Sequence, residues 1–295
     1  MPVDHYNADD MTTILGSVYD IDITRNIIQM FGRVSGLKLN LSKTVGIPLG
    51  QDATRIHTLT TRIKWTNDPV KILGIYVGGM DEDCERLNWE SRISSLEKTL
   101  HTWKQRNLTL FGKVIVVKVL ALPQLVYTAS NTTVPDNILH QIERLIFNFI
   151  WKPTEPIKRN QIINPIEEGG LNIIDIPSHF EALKAVWISR IMQDAAGDSW
   201  AMLPKYYLRN IGTALVTQLN FTSEVLLNIQ QIPHFYGEAV KAYSKAKPRN
   251  EIKSKSELLQ QVLWGNHLFT ITHGKTKEVL FFKNWIREGI IKLYQ

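Results

Sequence analysis

The 295-residue chain contains one cysteine, Cys84. It can therefore form no internal disulfide and build no cysteine-based zinc finger, and it suits a reducing compartment. Long apolar runs are also missing. The longest, Val114 to Val126, is broken by Lys118 and Pro123 and is too short to span a bilayer. The N-terminus has no basic segment leading into an apolar run, so no signal peptide is read there. Neither an internal repeat nor a low-complexity tract is present. His5, His57 and His101 lack the spacing of metal ligands. An excess of acid is absent too: the net charge is +6 and the pI about 9.2, a balance that suits a polyanionic partner without identifying one. With 44% apolar and 21% charged residues, the chain is ordinary globular material, long enough for a good core and more than one subdomain.

The richest signal lies in the first ten residues, which end in Ala8-Asp9-Asp10. Extended residues flank the acid pair, so the segment reads as strand, tight turn, strand. Two adjacent carboxylates at a turn tip need a cation or full solvation. Polymerases use such pairs to hold Mg²⁺ for two-metal phosphoryl transfer. On its own an acid pair at a turn is most often solvated surface.

The blocks that follow narrow the reading. Ile23, Ile27, Met30, Phe31 and Val34 fall on one face of a helix over 22–35, with Asp22 or Thr24 as its cap and Gly36 as its end. The segment SGLKLNLSKT occupies 35–44, and Lys71-Ile72-Leu73-Gly74-Ile75-Tyr76-Val77 reads as a strand ending at Gly78-Gly79. Further on come LNWESRISSLEKTLHTWKQRNLTLFGKVIVVKVLALPQLVY at 87–127, VPDNILHQIERLIFNFIWK at 134–152, EEGGLNIIDI at 167–176 and, later, FFKNWIREGI. In this order the blocks resemble the reverse transcriptases of LINE-type non-LTR retrotransposons. Those enzymes carry aromatic-Ala-Asp-Asp, a helix ending Ser-Gly-Leu, Asn-x-x-Lys-(Thr/Ser), a Leu-Gly strand and a helical thumb. The resemblance covers nearly the whole chain.

The resemblance implies RNA-directed DNA polymerase (nucleotidyltransferase) activity with Mg²⁺, on an RNA template and a DNA primer, in cytoplasm and nucleus. It implies that Asp9 and Asp10 hold the metal and that Lys43 acts near the pyrophosphate. It also implies that Lys71, Leu73 and Gly74 grip the primer end. Two departures weigh against activity. Asn7 stands where the family has an aromatic residue. The third metal-site carboxylate and the fingers would precede the first residue of this chain. The chain is therefore read as an internal piece of a retroelement polyprotein, expected to be inactive alone. The alternatives are a non-catalytic nucleic-acid-binding module and a non-functional relic.

Downstream, the pattern is helical. Ile93, Leu96, Leu100 and Trp103 form one stripe over 87–105, and Ile138, Ile142, Leu145, Ile146 and Phe149 form another. A helix over 110–129 is bent or ended near Pro123. Pro135 suits the first turn of the next helix, with Thr133 as its cap. Gly169-Gly170 reads as a turn, and helices are expected over 179–193 and around 222–230, 235–246 and 255–263. Between Arg86 and Lys118 the basic residues Arg92, Lys98, Lys104, Arg106 and Lys113 outnumber Glu90 and Glu97. Lys104, Arg106 and Lys113 are the candidate phosphate contacts; the plainer reading is a solvated helix face. The expected fold is α+β: a partial antiparallel palm over 1–80, a helical thumb over 81–195 and a C-terminal helical region over 196–295.

Overall fold

The computed structural model describes residues 3–7, 10–17, 19–48, 63–78, 80–151, 158–193, 199–209, 216, 232–246, 254–266, 269–273, 276–282, 284–285 and 288–294. The fold is α+β, with small sheets and many helices. The chain divides into two compact units, Met1–Ser91 and Arg92–Gln295.

The first unit opens with β1 (Val3–Asn7) and β2 (Asp10–Ile14), an antiparallel hairpin in which Asn7 faces Asp10 and Val3 faces Ile14. Helix α1 (Asp20–Ser35) follows. It starts earlier than the sequence suggests and without a side-chain cap. Ser17 organises the entry instead, its hydroxyl accepting from the Tyr19 N–H at 3.2 Å and its carbonyl from Asp20 at 3.1 Å. Asp20 and Asp22 then sit where the helix dipole favours negative charge. Gly36 closes the helix as expected, in the left-handed conformation (φ 78°) that glycine adopts without strain. The apolar stripe of α1 is exposed: Ile23, Ile27, Met30, Phe31 and Val34 all face solvent, and Ile21 is the buried residue. Helical spacing places these side chains on one face but does not specify what covers that face.

Short strands β3 (Val45–Gly46) and β4 (Lys64–Trp65) pair in parallel. Strands β5 (Val70–Ile72) and β6 (Ile75–Val77) pair antiparallel. Helix α2 (Asp81–Lys104) begins six residues before the expected start, where Asp81, Glu82 and Asp83 complement its positive end. The division between the two units falls inside it.

In the second unit, α3 (Leu110–Val116) is capped by the Thr109 hydroxyl, which accepts from the Gly112 N–H at 3.2 Å. It runs into a π-helical turn (Val117–Ala121) and then α4 (Pro123–Asn131). Pro123 has no N–H to donate, and the preceding turn widens so that Leu122 bonds to Val117 O at 2.9 Å. The axis bends there by 45°. Among the described residues no single helix is long and apolar enough to cross a membrane, although this bent pair passes the same test of length and composition. Its apolarity serves the core: Val114, Val117, Ala121, Leu122, Leu125 and Ala129 are buried.

Helix α5 (Asp136–Ile150) buries Ile142, Ile146, Phe149 and Ile150 and contacts α3 and α7 (Ile176–Gln193). Two side-chain hydrogen bonds tie α2 to α4, from Arg92 Nε to Thr128 Oγ1 at 3.1 Å and from Gln124 Nε2 to Thr99 Oγ1 at 2.9 Å. Thr133 does not cap α5; its hydroxyl bonds to Glu238 at 3.0 Å, and Pro135 takes the capping position. Helix α6 (Arg159–Ile163) is tied to α5 by Arg159, 3.0 Å from the buried Glu143 carboxylate. A 3₁₀ turn (Ile166–Glu168) leads into Gly169-Gly170. A Cβ at Gly170 would lie 2.0 Å from the Asn164 carbonyl oxygen, so this turn accepts only glycine there. Asp175 accepts from the Ser178 N–H at 3.2 Å and starts α7 three residues ahead of expectation.

Helices α8 (Ser199–Leu208) and α9 (His234–Ala246) complete this layer, with α9 lying along α7. Ile188, Ile191, Leu208, Ala239, Val240, Val262 and Trp264 form their common core. The short helix α10 (Lys255–Leu259) ends before the expected 263. The C-terminal region also contains a hairpin absent from the sequence reading, β7 (Thr270–His273) with β8 (Thr276–Val279). The helix expected at 222–230 lies outside the described residues.

Candidate nucleic-acid interface

Asp9 lies outside the described residues, and Asp10 opens β2 opposite Asn7. Among the described residues no three His, Cys, Asp or Glu side chains converge as a metal site.

Lys43 lies in a turn built by Asn40. The Asn40 side-chain oxygen accepts from Ser42 N–H (3.1 Å), Ser42 hydroxyl (2.6 Å) and Lys43 N–H (3.3 Å), while its carbonyl takes Lys43 and Thr44. The Asn-x-x-Lys-Thr spacing is thus a self-capped turn that presents Lys43 to solvent. Asn40 gains a physical role that the sequence reading did not give it.

Lys71, Leu73 and Gly74 do not lie on one continuous strand. They belong to the β5–β6 hairpin, and Leu73-Gly74 is its two-residue turn, with φ of 49° and 87°. Positive φ at both central positions matches the twist of the flanking strands. Gly74 takes it freely, whereas Leu73 holds it at the cost of backbone strain, with its side chain exposed. Lys71 sits across from Tyr76, its ammonium 5.5 Å from the ring centre. The hairpin is anchored by Asn88 on α2, whose amide accepts from Tyr76 N–H (2.8 Å) and donates to Tyr76 O (3.0 Å). Asn88 is buried, so these two bonds satisfy an amide that could not otherwise leave water. A lone Asn within an amphipathic helix pattern carries no signal of this clamp.

The basic run sorts into engaged and open side chains. Arg86 pairs with Asp83 and Glu90, and the Asp83 hydrogen bond first, then the Glu90 charge, raises its pKa. Arg92 bonds to Thr128, and the Lys113 ammonium donates to Ile150 O at 3.1 Å. Lys98, Lys104 and Arg106 are exposed, without a carboxylate partner among the described residues. Of the three candidate phosphate contacts, Lys104 and Arg106 are therefore open, and Lys113 fastens α3 to the end of α5. Cys84 donates its thiol to Gly78 O at 2.7 Å, and burial first, then Asp81 and Asp83, pushes its pKa up, which disfavours the reactive thiolate.

The second unit holds a buried cation. Lys184 on α7 donates to Thr132 O at 2.6 Å and lies 3.8 Å from Glu238 on α9. Its ammonium stands 4.1 Å over the Phe235 ring. Desolvation lowers its pKa to about 8, against the opposing pull of Glu238.

No protein-family model matches the chain. It is 21% identical over 243 residues to the transposon TX1 uncharacterized 149 kDa protein of Xenopus laevis; the match covers 80% of this chain and 18% of that protein. It is 24% identical over 140 residues to the putative ribonuclease H protein At1g65750 of Arabidopsis thaliana, covering 43% of this chain and 22% of that protein. The chain thus spans less than a quarter of either relative. Over most of its length it is related to a transposon-encoded protein.

Proposed function

We propose that the chain is the palm-to-thumb portion of a non-LTR retrotransposon reverse transcriptase, and that by itself it binds a primer–template duplex without extending it. The observation that carries this reading is the ordered series of blocks from Ala8-Asp9-Asp10 to the thumb helices, in a chain that matches a transposon protein over 80% of its length. The Leu73-Gly74 tip and the Lys43 turn are exposed polar-backbone features suited to meeting a primer end. Lys104 and Arg106 supply sequence-independent phosphate contacts.

Asp9 and Asp10 are hard oxygen donors of the type that Mg²⁺ takes. As a pair adjacent in sequence they cannot by themselves fill two near-octahedral shells. These two carboxylates alone do not complete a two-metal site.

The test is primer extension on an RNA template with Mg²⁺ or Mn²⁺, run beside duplex binding on the same sample. Binding without incorporation is expected. Template-dependent incorporation that Asp9→Ala abolishes would show an active enzyme. A folded chain that binds no duplex would favour the relic.

Salt dependence reads the interface itself. Affinity is expected to fall steeply with salt, and Lys104→Ala with Arg106→Ala should flatten the slope by about one unit per lost contact. Lys113→Ala should leave the slope unchanged and lower stability, because its ammonium is bound to Ile150 O. A native slope in the double variant would make the basic run a solvated face.

A further inference from the structure

Six aromatic rings form an unbroken series across α7, α8 and α9. Trp200 meets Trp187 (6.5 Å between centres), Trp187 meets Phe235 (6.0 Å) and Phe235 meets Tyr236 (5.7 Å). Tyr236 then meets Tyr207 (6.1 Å), and Tyr207 meets Tyr206 (5.7 Å). A packed aromatic core would bury such rings, yet none of the six is fully buried. Trp200 is 37% and Tyr206 53% exposed. The middle of the series leans on the α7–α9 core, and its two ends open to solvent.

Cations punctuate the series. Arg209 lies 3.7 Å over Tyr206, Lys184 4.1 Å over Phe235 and Arg190 5.8 Å over Trp187. Among the described residues, two acids of α7 and α9 are already engaged: Glu238 by Lys184 and Thr133, Glu181 by Lys245. Arg190 and Arg209 have no carboxylate partner among the described residues and are both exposed. Open rings beside exposed guanidiniums are complementary to a polymer that alternates flat bases with phosphates. A duplex hides its base faces, whereas a single strand offers them.

We propose that this belt is a stacking surface for single-stranded nucleic acid, with unpaired bases on Trp200 and on the Tyr206–Arg209 pair and phosphates toward Arg190 and Arg209. It lies on α7, α8 and α9, whereas the basic run spans α2 and α3. It rests on the proposed function only for the class of polymer that the chain meets.

The test is fluorescence anisotropy of the full chain with labelled oligo-dT and oligo-rU, beside a labelled duplex. The native protein is expected to bind both single strands. Tyr206→Ala and Trp200→Ala should each weaken that binding by roughly five- to a hundredfold, the span for loss of one stacked base. Tyr206→Phe should restore it, since the ring stacks without its hydroxyl. Circular dichroism confirms that each variant is folded. Lys104→Ala with Arg106→Ala should reduce duplex binding and keep the dependence of single-strand binding on Tyr206. If both alanine variants fold and bind oligo-dT and oligo-rU as the native chain does, the belt is only packing. If the native chain binds duplex and neither single strand, the belt fails while the duplex reading stands. Single-strand binding lost in Tyr206→Ala, in a chain that ignores duplex, would support the belt and sink the duplex reading.

Discussion

Ile146→Ala should destabilise the helical unit by about 2–5 kcal/mol, the usual span for truncating a fully buried branched aliphatic side chain. Ile146 has no exposed surface and sits on the face of α5 that carries Ile142, Phe149 and Ile150. That face meets α3 and α7, so the lost methylenes leave a void that two neighbouring helices would have to close together. Ile27→Ala on α1 makes the contrast. Ile27 is 61% exposed, and a surface truncation of this kind costs within about 0.5 kcal/mol. Denaturant melts of both variants, compared at constant m-value, decide the matter. An Ile27→Ala loss as large as that of Ile146→Ala would mean that the α1 stripe is covered in the folded protein.

That contrast shows what the sequence carries and what it leaves open. Periodicity places the stripes of α1, α2 and α5 correctly, because 3.6-residue spacing is a local property of the chain. It gives α1 and α5 the same apolar pattern, yet one face is solvent-exposed and the other is core. Burial depends on partners far away in sequence. Pro123 announces its bend because the missing N–H acts within one turn, although the π-helical form of the relief could not be foreseen. The β5–β6 turn was legible only as a glycine within a strand-like run. The left-handed Leu73 that makes it a hairpin contradicts local preference and is imposed by the paired strands on either side. The interface follows the same rule. Lys104, Arg106 and Lys113 are equivalent as charges in a sequence, but Lys113 has a carbonyl within reach and the other two face water. The Asn88 clamp and the aromatic belt depend on contacts across elements, for which residue spacing carries no signal.

Lys184 should give the protein an alkaline stability profile that a variant without it lacks. Burial holds the folded pKa at about 8, whereas the unfolded lysine keeps its ordinary value near 10.5. Between these values the unfolded chain binds the extra proton and the native chain does not. Stability therefore rises as pH increases through this window. Below about pH 8 both states are protonated, and the full cost of burying the ammonium is present. The groups that face it are Glu238 and the Phe235 ring from α9 and the Thr132 carbonyl beyond α4, with His234 3.8 Å from the far side of Glu238. Cys84 and Tyr236, whose pKa values burial raises, act in the opposite sense, so the readout is the difference between native protein and Lys184→Met. That difference should grow in favour of the native chain from about pH 7 to about pH 10, by up to roughly 3 kcal/mol if the whole shift is expressed. Glu238→Gln removes the attraction that holds the lysine protonated and should move the rise to lower pH. Denaturation midpoints across this range test both variants. Parallel profiles for native and Lys184→Met would mean that the ammonium reaches water in the folded state, and the Thr132–Lys184–Glu238 link between α7 and α9 would then count for little in stability.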